Sequence, residues 1–466
     1  MSRALARFDP AEFFVPIGVG LSAATLGGLA GVEPKLAVGA ALGIAFALIT
    51  LANLSIGVAA FTLVMFFELS PVAGGSALSF TKLAGAILVL SWIASFTSRV
   101  HGRNTLWNRH PILSFSIIAF CAWVTLSFVW AEKPSVVPAE SLRLLLTAAL
   151  FLILYEAIRT PQHIRMVLGA FIAGATFAAL YGVVAQPDAS QFAYAAGSEG
   201  LNRIAGTVGD PNVLAATLAA GLMISVAMGA AQGRSSIVRV LCFSAALLCL
   251  AGVFLTGSRG GLVALAGAVI AAIALAPRHR ALALLVGIMI SVAGTYYYAD
   301  IAPQAARDRL SLADGGTGRT DIWKVGWRMI EDKPLTGVGA ANFQISSIHY
   351  LLAEPGALKD DTYVADKPAV AHNAFINVLA EYGIPGLVFF MMIVIGSIAA
   401  AYRAAKEFGR RSDPGMELIA VSVAVALVAL LAADMFVSEH FNKQLWLLMA
   451  MCPAMLAVAR GQTTED

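Results

Sequence analysis

Three side chains stand out by type and setting: Arg259, Arg319 and His372. Arg259 is the single charge in "AGVFLTGSRGGLVALAGAV" (251–269), and the apolar run continues on both sides, from about Val240 to Ala276. A charge left unpaired at bilayer depth costs roughly 2.5–3.5 kcal/mol even on insertion scales, so it must face a partner or a wet cavity. Gly257, Gly260 and Gly261 leave the neighbouring backbone uncovered, which lets a bulky anion come close. A guanidinium fork matches phosphate oxygens and keeps its charge at any biological pH. The chemistry to expect at Arg259 is therefore a grip on an anion that lives at the membrane surface, with a lipid diphosphate as the natural candidate. The competing reading is a side chain that only snorkels to headgroup phosphates.

The elements that position these groups are membrane helices. The chain of 466 residues is 59% hydrophobic and 13% charged, far less charge than a soluble protein of this size carries. Apolar runs of roughly 18–22 residues recur along it, each long enough to cross a bilayer as a helix. This predicts an all-α polytopic membrane protein of about 14 spans (12–14), with soft ends: 13–31, 36–53, 54–72, 78–96, 111–131, 139–158, 164–185, 212–231, 237–256, 259–276, 281–299, 385–403, 416–436 and 444–460. The split of 36–72 rests on Asn53 alone. Arg3 and Arg7, Arg99, Arg103 and Arg109, Arg159 and Arg165, Arg234 and Arg239, Arg278 and Arg280, and Arg403, Lys406, Arg410 and Arg411 all fall on one side of this alternation. The positive-inside rule makes that side cytoplasmic, with both termini on it. The first apolar run reads as a retained helix rather than a cleaved signal, because another span follows at once.

The same alternation puts 186–211, the 256–260 turn, 300–384 and 437–443 on the outer side. Three regions follow: an N-terminal transmembrane bundle (1–299), an extracytoplasmic loop domain carrying short interfacial helices (300–384), and C-terminal transmembrane helices (385–466). Only the long loop is large enough to hold a site, and long ordered loops commonly carry function. Within it "GRTDIWKVGWRMIEDKP" (318–334) reads as a helix that Thr320 or Asp321 can cap and that ends before Pro334. Ile322, Trp323, Gly326, Trp327 and Ile330 share one face, and Lys324, Arg328 and Glu331 another, so the helix should lie along the membrane with its tryptophans at headgroup depth. Arg319 immediately precedes it. Further on, His372 stands ahead of a short helix with Phe375, Leu379 and Tyr382, and Gly383-Ile384-Pro385-Gly386 turns the chain into the next span.

Other chemistries fit less well. Cys121, Cys242, Cys249 and Cys452 all lie in apolar spans at core spacing, not as metal ligands or disulfide pairs. No nucleic-acid signature is present. A coupled transporter would place ionisable groups near the midplane, whereas Glu68, Lys82, Arg143 and Asp434 lie near span ends or within about two turns of them. A serine protease could cast Ser258 and His372, but Thr256-Gly257-Ser258-Arg259-Gly260 does not fit the nucleophile elbow.

"TGSRGGL" (256–262), "GRTDIWKVGWRMIEDKPLTGVGAANF" (318–343) and "HNAFINVLAEYGIPGL" (372–387), in this order and with a large outer loop between the second and the third, resemble the bacterial O-antigen ligase and polymerase superfamily. "NRIAGTVGDPNVLA" (202–215), with Pro211-Asn212, is similar to a further stretch of it. The resemblance covers about 200–390. It implies a GT-C-like membrane glycosyltransferase of the bacterial cytoplasmic membrane, with its site on the extracytoplasmic side. The donor would be an undecaprenyl-diphosphate-linked glycan, and the acceptor hydroxyl would belong to a glycan, a lipid A core or a protein. The family's functional residues map onto Arg259, Arg319 and His372. Arg203, Asn212, Ser258, Gly260 and Asn373 are the adjoining candidates for substrate binding. In that setting His372, with an ordinary pKa near about 6.5, suits a general base, the two arginines suit the leaving diphosphate, and single displacement predicts inversion. No cofactor is expected, and no metal: the loop at 31–36 offers only Glu33, and Glu331-Asp332 and Asp360-Asp361 do not supply three convergent oxygens. The alternatives within this frame are a polysaccharide polymerase extending a lipid-linked chain and a flippase for lipid-linked glycan.

Overall fold

The computed structural model describes residues 27, 30, 31, 33–67, 80–97, 106–184, 203–304, 306–307, 319–352 and 370–461. Span 13–31 falls almost wholly outside these residues. So do Arg3, Arg7, Glu68, Arg99, Arg103, Asp360 and Asp361. The described residues form helices and turns, with no strand among them.

The helices are α1 (Pro34–Ala52), α2 (Leu54–Val64), α3 (Phe80–Thr97), α4 (Pro111–Leu126), α5 (Val137–Ala157), α6 (Pro161–Val184), α7 (Pro211–Ala230), α8 (Ser236–Leu255), α9 (Arg259–Leu275), α10 (Arg280–Tyr296), α11 (Arg319–Asp332), α12 (Phe343–Leu352), α13 (Ala374–Arg410), α14 (Pro414–Ala433) and α15 (Lys443–Ala459). Their starts are written locally. Proline opens α1, α4, α6, α7 and α14, where its missing N–H costs nothing. Asn53, Asp210, Ser235, Ser258, Asn373, Asp413 and Asn442 cap the helices that follow them with side-chain oxygens.

Among the described residues, 8 helical segments are long and apolar enough to cross a membrane: Pro111–Val129, Pro134–Ala157, Pro161–Val184, Pro211–Ala230, Ser236–Leu255, Pro277–Ile301, Ala374–Arg410 and Pro414–Ala433. The chain is a multi-pass helical membrane protein. Shorter apolar helices of 10–17 residues occupy Ala37–Ala52, Leu54–Val64, Thr81–Ala94, Arg259–Leu275 and Lys443–Ala459. At 1.5 Å per residue a 17-residue helix reaches only about 25 Å, against a hydrocarbon core of about 30 Å.

The centre of the bundle is α7, α14 and α15. In α7 the most apolar window is 89% buried, and in α14 it is 78%. Small residues allow this closeness: a Cβ on Gly261 of α9 would stand 2.7 Å from Ala215 Cβ of α7, the packing that membrane helices use in place of a hydrophobic driving force. The Pro277–Ile301 segment is only 6% buried and lies at the periphery. All four cysteines are free and buried, as core residues. At one end of the bundle, burial and then the charges of Arg460, Arg403 and Arg109 push His110 down to about 4, so Arg109 and Arg403, both expected on one side, share a neighbourhood, and Arg460 joins them.

The segment around α11 and α12 has a core of its own, made of Ile322, Val325, Met329, Ile330, Val338, Phe343, Tyr350, Leu351, Ala371 and Ala380. It is tied to the bundle by backbone and indole contacts. Trp123 Nε1 donates to Tyr382 O (2.7 Å), Trp130 Nε1 to Thr336 O (2.9 Å), and Lys133 N to Asn342 Oδ1 (2.8 Å). Val338 N and Gly339 N donate to Ala380 O and Glu381 O, both at 2.9 Å. Gly337 sits at φ +66°, and a Cβ there would meet the Glu381 carbonyl at 2.4 Å, so this close approach requires glycine.

Helix α11 departs from the expected pattern in two ways. Its buried stripe is Ile322, Val325, Gly326, Met329 and Ile330, while Trp327 is 54% exposed. The neighbour that decides this is α13: a Cβ on Gly326 would lie 2.8 Å from Ile376 Cγ2, so the close face centres on Gly326, one residue away from Trp327. Thr320 and Asp321 lie inside the helix, and buried Asp321 pairs with Lys324 at 3.0 Å. Pro334 does follow the helix end. In α13, Gly383 (φ +66°, ψ −170°) breaks the helical path after Tyr382, where the glycine-proline turn is expected.

Candidate functional site

Asp210 caps α7 through Asn212 N (2.6 Å) and Val213 N (3.3 Å), which fixes the Asn212 side chain at the helix start. Asn212 Oδ1 then accepts from two directions, from Arg203 Nη2 at 3.1 Å and from Ser258 Oγ at 2.8 Å. Arg203 Nε also donates to Thr256 O at 2.7 Å. Arg203, Asn212 and Ser258, picked separately from sequence, are thus one hydrogen-bonded chain that welds the α7 start to the α8–α9 turn. Ser258 Oγ in turn accepts from Gly261 N (3.2 Å) and caps α9, so Arg259 is the first residue of that helix. The positive end of the helix adds to the Arg259 charge.

The glycines of the turn do different work from one another. Gly257 has φ +56°, and the nearest atom to a Cβ there is Arg203 Nε at 4.0 Å, so its backbone is open. Gly260 and Gly261 face protein: a Cβ on Gly260 would lie 3.3 Å from Phe436 Cβ, and Gly261 packs on Ala215. Of the three expected to admit an anion, only Gly257 leaves space.

His372 has φ +47°, a left-handed conformation uncommon for a side-chain-bearing residue. Its neighbours hold it there. Trp323 Nε1 donates to Ala371 O (2.9 Å) and Asn373 N to Ser438 Oγ (3.2 Å). Asn373 Oδ1 caps α13 through Phe375 N and Ile376 N, both 3.0 Å, and Ala374 N donates to Asp434 O at 2.7 Å. Backbone strain of this kind, held by several contacts at once, is typical of functional positions. Burial and then the Arg319 guanidinium hold the imidazole pKa below its ordinary value, while Asp210 pulls it the other way. Arg319 opens α11.

The turn after α14 closes the arrangement. Phe436 packs against Gly260 on one side and lies tilted against Trp323 on the other, with ring centroids 6.3 Å apart. Asp434 and Ser438 bind the backbone of Asn373 and Ala374. The His372 turn, the start of α11 and the start of α9 therefore surround one seam. Asp210, Phe436 and Ser438 escaped the sequence reading. Asp210 carried a signal, an N-cap residue followed by proline; the other two act through long-range packing that no local pattern announces.

Ser258 is 1% exposed, with its proton committed to Asn212 and its lone pair to Gly261. It is a cap, which disposes of a serine nucleophile. Among the described residues no three His, Cys, Asp or Glu side chains converge.

Replacing Asp210 with Asn keeps a capping oxygen but removes the charge that raises the His372 pKa. A base works only in its neutral form, so the acid limb of any His372-dependent rate should move to lower pH in Asp210→Asn. Arg319→Gln removes a charge that lowers the pKa, and should move the limb of its residual rate upward. A pH–rate profile of both variants checks the two opposite signs.

Residues 244–391 match the family model described as O-antigen ligase (Wzy_C). Among curated proteins none matches the chain. The matched stretch contains Ser258, Arg259, Gly260, Arg319, His372 and Asn373; Arg203 and Asn212 precede it but are bonded into it. This stretch, about a third of the chain and set in a multi-pass helical bundle, is what the chain shares with the O-antigen ligase family.

Proposed function

We propose that the protein is a membrane glycosyltransferase of the ligase type, which moves a glycan from an undecaprenyl-diphosphate donor to an acceptor hydroxyl on a glycan, a lipid A core or a protein. The observation that carries this reading is the convergence of Arg319 and Asp210 on a strained imidazole beside the Arg259 turn. His372, kept neutral at physiological pH, takes the proton of the acceptor hydroxyl. The hydroxyl oxygen attacks the anomeric carbon, the bond to the diphosphate oxygen breaks, and the configuration inverts. Arg259 and Arg319 stabilise the negative charge that grows on the leaving diphosphate, fixed cations acting where charge develops. Arg203 holds the Thr256 carbonyl and Asn212, and so positions the Arg259 turn. The reaction uses no metal or other cofactor.

Fourteen spans in a GT-C-like arrangement, grouped as 1–299, 300–384 and 385–466, set the site on the extracytoplasmic side of the bacterial cytoplasmic membrane, with both termini inside. Support comes from the gathering of Arg109, Arg403 and Arg460 around His110, since such arginines mark the cytoplasmic end. Gene deletion followed by analysis of surface glycan tests the ligase assignment. Loss of all attachment with accumulated donor supports a ligase. Single repeats left on the acceptor indicate a polymerase, and donor confined to the cytoplasmic leaflet indicates a flippase.

A further inference from the structure

Along α11, starting next to Arg319, runs an open groove of about 450 Å³. Trp323, Trp327 and Ile376 form its apolar floor, and Thr320, Lys324, Arg328 and Glu331 its polar rim. From Thr320 to Glu331 the helix rises roughly 17 Å, the reach of a short oligosaccharide. Resting on the glycosyltransferase reading above, we propose that this groove binds the oligosaccharide arm of a substrate beyond the sugar that reacts.

Several features select a glycan. Trp327, 54% exposed, offers a broad aromatic surface at i+4 from Trp323. The C–H face of a pyranose, slightly positive, packs against the electron-rich face of an indole. The rim mixes donors (Lys324, Arg328) with acceptors (Thr320, Glu331), as a ring of hydroxyl groups requires. An acyl chain has no use for the rim. The rim is also pre-ordered: Lys324 is held by buried Asp321 at 3.0 Å, and Arg328 Nη1 donates to Tyr350 O at 3.0 Å. Finally, the groove is continuous with the candidate site. Trp323 bonds Ala371 beside His372, and Thr320 follows Arg319 directly. A glycan whose first sugar lies at His372 therefore has its next units over Trp323 and Trp327.

The test uses the full chain in lipid nanodiscs. The probes are the glycans released by mild acid from the host cell's own polyprenyl-diphosphate pool, and the intact lipid-linked glycan as donor. Trp327→Ala should weaken binding of the released glycan, read by saturation-transfer NMR, by about tenfold, one aromatic contact. It should raise KM by a similar factor and leave kcat unchanged, with Trp327→Phe restoring most of the loss. Whether the donor or the acceptor KM moves tells which substrate supplies the arm, and a substrate cut back to its reacting sugar should show no change. Equal KM values for wild type and Trp327→Ala, with wild-type transfer intact, overturn the groove and leave the glycosyltransferase reading standing. Glycan binding that depends on Trp327 in a protein that forms no glycosidic bond supports the groove and removes the enzyme. Altered insertion of Trp327→Ala with glycan binding unchanged makes the tryptophan a membrane anchor and overturns the inference.

Discussion

His372→Asn should leave a folded, membrane-inserted protein that still binds donor and transfers glycan about 10²–10⁴-fold more slowly, the usual contribution of a positioned general base. Asparagine is the informative replacement. The residue stands at φ +47°, and asparagine enters the left-handed region more readily than most residues with a side chain. Alanine would add strain there and confuse loss of a base with loss of the turn. The turn is otherwise self-sufficient: the Ala371 carbonyl, the Asn373 N–H and the Ala374 N–H each have their own partner. Thermal inactivation in detergent should match wild type, while single-turnover transfer with lipid-linked donor falls. A variant as fast as wild type would take the base role away from His372.

Arg259→Ala should lower both donor affinity and turnover, with kcat down about 10²–10³-fold, the loss seen when one preorganised stabiliser of developing negative charge is removed. Arg259→Lys should recover part of the affinity and little of the rate. Lysine restores a point charge but not the two parallel N–H groups that meet two phosphate oxygens. The fold should survive both changes, because the α9 cap belongs to Ser258 and the close packing to Gly260 and Gly261. Donor binding measured apart from turnover checks the pair. Equal activity of the lysine variant and wild type would reduce Arg259 to a headgroup anchor.

How much of this could be read from the sequence varies with the range of the interaction. Arg259 was legible because one charge in a long apolar run has few physical justifications. The break at Gly383 is local, and it lies where the glycine-proline turn puts it. The joining of Arg203 and Asn212 to the α8–α9 turn was not legible, since the bonds from Ser258 to Asn212 and from Arg203 to the Thr256 carbonyl span 46 and 53 residues. For α11 the sequence pattern put Trp327 on the apolar face with Ile322, Trp323, Gly326 and Ile330, whereas Trp327 is exposed. Only the approach of Ile376 to Gly326 decides that Trp327 looks outward. The glycines of the S-R-G motif were misjudged for the same reason. An absent side chain reads as open backbone until the neighbour that fills the space, Phe436 or Ala215, is known.

The most direct test of the whole account is a transfer assay with purified protein in proteoliposomes, given a polyprenyl-diphosphate glycan of known anomeric configuration and a hydroxyl acceptor. NMR of the product gives the new linkage. The account predicts a new glycosidic bond of inverted configuration, formed by wild type and reduced to background by His372→Asn. Donor that crosses the bilayer with its sugar–phosphate bond intact, or a product with retained configuration, would contradict it.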